Sequence, residues 1–280
     1  MEYCRALTTP STMWTFCPSL GASIVFLVLF AGTTIAHVFQ AAHFKKTYCW
    51  VIVMSSLWQL LTYIFRTVSI QSPASFGDYA AWFVLILVAP LWTNAFTYMV
   101  FGRLVHNYTP NRKLWGLAAS CFGPFFVVLD IIAFVIQVYG AATATSQDLP
   151  TGEVLRDLHV YMGGVGVQLL FILVCFAFGI KLLSVMRQEA AQFRSVRSAM
   201  LLLYTQFTVL SLIITRIVFR IVEYSGGLQS TIPNHEVFQY CLDTLPMLIA
   251  ILMYNIVHPG RIMRGKETEM PSPWPCCGKR

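Results

Sequence analysis

Seven stretches of this chain run with almost no charge for the length of a membrane span, at 19–42, 49–70, 79–104, 114–139, 160–184, 199–224 and 236–257. An α-helix rises 1.5 Å per residue, so roughly 20 apolar residues cross the roughly 30 Å of hydrocarbon in a bilayer. For most of this chain the solvent is lipid. Composition agrees: 57% of the residues are hydrophobic and 11% charged, where a soluble domain carries about 25% charge. The expected fold is an all-α integral membrane protein, a seven-transmembrane-helix bundle over 19–260. A tail at 1–18 precedes it, and a disordered tail rich in charge and proline follows at 261–280. Glu2 and Arg5 stand before the first span in place of a basic leader, and no small-residue cleavage site follows it. That span therefore reads as retained and not as a signal peptide.

The basic residues set the expected orientation. One set of connections and the tail holds Lys45, Lys46, Arg103, Arg112, Lys113, Lys181, Arg187, Arg194, Arg197, Arg261, Arg264, Lys266, Lys279 and Arg280; the opposite set holds Arg5 and Arg156. Positive loops stay in the cytoplasm, so the N-terminus is expected outside and the C-terminus in the cytoplasm. The net charge of +7 is accounted for by this asymmetry, and no nucleic-acid partner is implied. The sequon Asn107-Tyr108-Thr109 falls in a cytoplasmic loop and is expected to stay unglycosylated.

Eight cysteines do not form a disulfide framework here. Cys121, Cys175 and Cys241 lie inside apolar runs, as small hydrophobes do. Cys4 and Cys17 share the exterior tail, where they either pair or remain thiols. Cys276 and Cys277 end the cytoplasmic tail and are candidates for palmitoylation.

Three arginines remain inside the spans, Arg66, Arg216 and Arg220, with the acids Asp130, Glu223, Glu236 and Asp243 within or bordering them. An ionised group in lipid costs at least about 2.5–3.5 kcal/mol on insertion scales, so these groups must face one another or water. Arg216, Arg220 and Glu223 are spaced i, i+4, i+7 on the sixth helix, and Glu236, Tyr240 and Asp243 repeat that spacing on the seventh. Asp130, Glu223 and Asp243 balance the three arginines in charge. By depth, every one of these groups falls in the outer half of the membrane. The reading is a polar cavity there that binds a substrate or carries protons, set against a structural salt-bridge network. Gln137, Gln168 and Asn94 are candidates to extend it. Pro90 and Pro246 interrupt helices and free backbone carbonyls.

Other chemistries find no support. Gly260 to Lys266 has the spacing of a phosphate loop, but Glu267 stands where Ser or Thr holds magnesium and no strand precedes it. His37, His159, His235 and His258 are too scattered in depth to share a metal. The last span lacks the lysine that retinal needs. Neither an enzyme, a metal site nor a cofactor is expected.

The stretches R-I-V-F-R-I-V-E-Y-S-G-G (216–227), H-E-V-F-Q-Y-C-L-D-T-L-P-M-L (235–248) and N-I-V-H-P-G (255–260) resemble the fungal lipid-translocating exporter family, also called RTA-like. Weaker matches run upstream at Pro18-Ser19, His37, Tyr63, Arg66, Ala89-Pro90, Tyr98, Gly102-Arg103, Asp130, Gln137 and Gln168. The resemblance implies a fungal seven-helix plasma-membrane protein linked to sphingoid long-chain bases and to resistance to amphipathic toxicants. Within the pattern His235, Glu236, Arg220, Glu223 and Asp243 are retained. Gln59 stands where the family usually has glutamate, which removes a proton role there and leaves a hydrogen-bonding one. The expected function is flippase-like export of amphipathic lipids, with membrane lipids and an amphipathic small molecule as partners. The alternative is a seven-helix sensor that regulates a lipid or stress response without transporting.

Overall fold

The computed structural model describes residues 4–144, 151–190, 196–225, 235–263 and 268–270. Seven helices long and apolar enough to cross a membrane make up the bundle. The first six are Leu20–Phe44, Cys49–Gln71, Phe76–Tyr108, Ala119–Ala144, Thr151–Ala190 and Val196–Ser225. The seventh is built from Glu236–Gln239, a π-helical turn Tyr240–Thr244 and Leu245–Ile256. Successive helices pack side by side, and the seventh returns to the first, so the bundle closes; the third also packs on the sixth. The chain is an all-α, multi-pass membrane protein.

Local chemistry explains the helix ends. Ser19 caps the first helix by accepting from Ala22 N at 3.2 Å, which satisfies one of the free amides of the first turn. Lys45 ends it in the left-handed region with φ 52°, a conformation rare outside glycine and asparagine. The third and fifth helices outrun their apolar stretches. At 1.5 Å per residue the 40-residue fifth helix is about 60 Å long, twice the hydrocarbon thickness. The fourth helix starts five residues later than the expected 114, because Lys113–Leu114 and Leu117–Ala118 form a small antiparallel hairpin. Trp115 and Gly116 make its turn with φ of 46° and 82°, which an α-helix cannot accommodate.

The outward faces are apolar, as lipid requires: Phe39, Ile35, Val28, Val135 and Leu170 are all exposed. Cys175 is buried as expected, but Cys121 and Cys241 are exposed on this outward surface and not packed inside. The fourth and fifth helices approach closely at glycine. A methyl on Gly140 would stand 2.4 Å from Tyr161 N, and one on Gly164 2.9 Å from Ala133 O. Such small-residue contacts are how helices pack tightly in a membrane.

The segment before the first helix is folded and not a loose tail. Cys4 and Cys17 are disulfide-bonded, and Met13 N donates to Pro73 O at 3.0 Å. Trp14 is buried, donates from Nε1 to Ser69 O at 3.3 Å and stacks on Trp82. The expected tail at 261–280 and the pair Cys276 and Cys277 lie largely or wholly outside the described residues.

Candidate functional site: buried charges around the seventh helix

The sixth and seventh helices meet through charge. Arg220 donates from Nη1 to Glu223 Oε2 at 2.9 Å and from Nη2 to Asp243 Oδ2. Arg216 Nε stands against Asp243 Oδ1 as an ion pair whose angle falls short of a hydrogen bond. Asp243, 1% exposed, is therefore gripped by two guanidinium groups, and the spacing that places Arg216, Arg220 and Glu223 on one stripe is realised in full. Asp243 sits in the π-helical turn, where Leu245 N reaches back to Tyr240 O. Pro246 follows at the second position of the next helical segment and has no N–H for the carbonyl four residues before it. Single π turns of this kind recur at functional sites.

Pro90 has a matching effect in the third helix. Its missing N–H leaves Ile86 O, four residues earlier, without its helical donor. Arg216 Nη2 supplies one at 3.0 Å. The carbonyl freed by the proline and the buried guanidinium thus satisfy each other.

Arg66, 1% exposed, forms a second group. It donates from Nη2 to Glu236 Oε1 at 2.7 Å, from Nη1 to Gln239 Oε1 at 3.0 Å and from Nε to Tyr240 OH at 3.1 Å. Its guanidinium carbon lies 4.7 Å from the Trp82 ring centre, 5.2 Å from Trp14 and 5.1 Å from Tyr240, an aromatic enclosure that favours a cation. Glu236 Oε2 accepts from Ser19 N at 2.8 Å. The disulfide-closed N-terminal segment thus lies against this ion pair. The two groups are bridged along the seventh helix, where Thr244, next to Asp243, bonds Tyr63 of the second helix.

Asp130 does not join the arginines. It accepts from Asn94 Nδ2 at 2.9 Å and from Tyr98 OH at 3.1 Å; Gln168 stands near it and accepts from Gln137 Nε2 at 3.1 Å. The expected charge balance of Asp130, Glu223 and Asp243 against three arginines is thus corrected: Glu236 takes the third place, and Asp130 lies in a separate polar group among the third, fourth and fifth helices. Counting charges by depth does not reveal which helix faces meet. Gln59 is buried on the second helix. His235 is exposed, packs edge-on against Phe238 and stands apart from these groups.

One further polar group was not anticipated. Tyr254 OH donates to Gln206 Oε1 at 2.7 Å and bonds the Thr97 hydroxyl at 2.9 Å, and Gln206 Nε2 donates to Thr97 O at 3.4 Å. A glutamine in the middle of an apolar run was the available signal. Polar contacts therefore continue along the seventh helix from Glu236 to Tyr254. That is about 27 Å at helical rise, close to the hydrocarbon thickness. The paired charges Arg66, Arg216, Arg220, Glu223, Glu236 and Asp243 meet over 236–243 of that helix, and the neutral Tyr254 group lies farther along it. Among the described residues each of these paired charges meets partners from the protein itself, with Glu236 partly exposed.

Comparison with known proteins gives consistent results. Residues 52–266 match the model of a family described as RTA1 like protein. The probable lipid transporter atnI of Emericella nidulans is 38% identical over 263 residues, covering 90% of this chain and 69% of that protein. Protoporphyrin uptake protein 1 of Saccharomyces cerevisiae is 30% identical over 201 residues, 69% of this chain and 63% of that protein. The sphingoid long-chain base transporter RSB1 of the same yeast is 23% identical over 287 residues, 91% of this chain and 75% of that protein. No solved structure matches the chain.

Proposed function

The chain belongs to the RTA1-like family, and on that premise we propose that it carries amphipathic lipids, such as sphingoid long-chain bases, across a fungal plasma membrane. The observation that carries this reading is Asp243, buried at a π-helical turn and shared by Arg216 and Arg220. A sphingoid base presents an ammonium and hydroxyls at the end of an apolar chain. Its ammonium replaces a guanidinium on Asp243 or Glu223, and the released arginine donates to a hydroxyl. Exchange of one cation for another keeps the carboxylate paired. Breaking the pair without replacement costs about 3–5 kcal/mol. The apolar tail remains among the lipid-facing side chains.

The distribution of basic residues supports an N-terminus outside and a C-terminus in the cytoplasm, and a disulfide between Cys4 and Cys17 suits an oxidising exterior. In that orientation Arg66, Glu236, Arg220 and Asp243 lie in the outer half of the membrane, and Trp14 covers Arg66 from outside. A carrier of this design removes amphipathic toxicants from the cell by the same route. The names of the relatives support lipid as the substrate class.

Reconstitution tests the proposal. Purified protein in liposomes is expected to move a fluorescent long-chain base between leaflets, and Asp243→Asn and Arg220→Ala are expected to abolish that movement at equal reconstitution. Undiminished movement by both variants removes the site. A wild-type protein that binds the base and moves none is a sensor and not a carrier.

A further inference from the structure

The buried acids of this bundle are not equivalent. Asp243 is paired with Arg216 and Arg220, Glu223 with Arg220, and Glu236 with Arg66. Asp130 is 3% exposed, and every partner it has is neutral. Asn94 and Tyr98 face it from the third helix. Gln168 faces it from the fifth, with Gln137 of its own helix behind. Cys175, also on the fifth, is the other titratable neighbour beside Tyr98. Among the described residues no cationic side chain pairs with it.

A proton therefore has different consequences at each acid. On Asp243 or Glu236 it withdraws the carboxylate that pairs with Arg216 or Arg66, and on Glu223 it removes one of the two carboxylates that hold Arg220; breaking a buried pair in this way is destabilising. On Asp130 it breaks no ion pair and adds one O–H donor. An acceptor is at hand. Asn94 Nδ2 donates to Asp130, while Asn94 Oδ1 is buried with no hydrogen-bond partner among the described residues. A half-turn of the amide presents that oxygen to the carboxyl as the acceptor for its proton. One side chain can thus serve the ionised acid with its N–H and the neutral acid with its oxygen.

We propose that Asp130 is the proton-binding carboxyl of this protein, loading and unloading as lipid crosses, and separate from the Arg216–Arg220–Asp243 group that takes the headgroup. The inference rests on the transport reading above and names its energy source. The proton enters from water on one face and leaves to water on the other, and no bond of the lipid changes.

Two measurements decide it. In liposomes, an imposed pH gradient is expected to accelerate movement of the fluorescent base by the wild-type protein. In Asp130→Asn, which keeps a hydrogen-bonding side chain of the same shape, rates with and without the gradient become equal; Asp130→Glu, which returns a carboxyl, restores the difference. Infrared spectra collected across a pH range are expected to show a protonated-carboxyl band that titrates in the wild type and is missing in Asp130→Asn. A gradient response unchanged in Asp130→Asn, or no band sensitive to that substitution, overturns the proposal. A wild-type protein that moves no lipid under any gradient overturns the proposed function and the coupling with it. The infrared band still reports separately on the proton at Asp130.

Discussion

At the scale of single residues, two arginines on one helix face do different work. Arg220 serves two carboxylates, Glu223 and Asp243, while Arg216 serves Asp243 and the carbonyl of Ile86. Removing Arg220 leaves Glu223 with no cation and Asp243 with one. Removing Arg216 leaves Asp243 still paired and one carbonyl without its donor. A buried carboxylate stripped of its cation costs about 3–5 kcal/mol, and a lost backbone hydrogen bond about 1 kcal/mol. Arg220→Met is therefore expected to lower the unfolding temperature in detergent clearly more than Arg216→Met; equal losses would contradict this division of roles. The stripe of Arg216, Arg220 and Glu223 was legible because helical spacing alone sets it. The pairing of Arg66 with Glu236 was not, since their helices are neighbours in space and 170 residues apart in sequence.

At the scale of elements, apolar length located all seven helices, while their ends were set by chemistry that hydropathy does not register. Ser75 caps the third helix at Asp78 N, ahead of the apolar run, and the Trp115-Gly116 turn delays the fourth. The N-terminal segment held the largest surprise. Reading 1–18 as a tail missed that Trp14 packs on Trp82 and Arg66, because one tryptophan in a polar stretch has no periodic pattern to reveal its partner. The disulfide spans a sequence separation of 13, and closing a loop of about that length contributes about 3 kcal/mol in the chain-entropy account. Cys17→Ser is expected to raise backbone hydrogen exchange across residues 4–19 and leave the seven helices protected. Unchanged exchange there would show that Trp14 and Met13 hold the segment without the cross-link.

At the scale of the whole molecule, the bundle closes by bringing the seventh helix against both the sixth and the first. That closure makes the seventh helix the common wall of the ion pairs at one end and of the Tyr254–Gln206–Thr97 group farther along. Orientation in the membrane is the matching whole-molecule prediction. An epitope placed at the N-terminus is expected to be stained in intact cells, and one at the C-terminus only after permeabilisation. The reverse pattern would put the charged groups in the inner half and defeat the proposed access from outside. Sequence by itself determined the solvent, the number of spans, the family likeness and the one-helix stripe of charge. Each of these depends on composition or on spacing within a single helix. Tertiary structure alone decided which acid each arginine holds, that no cation among the described residues pairs with Asp130, and that the N-terminal segment covers Arg66. These depend on which faces meet when helices far apart in the chain pack together, and spacing along one helix carries no record of that.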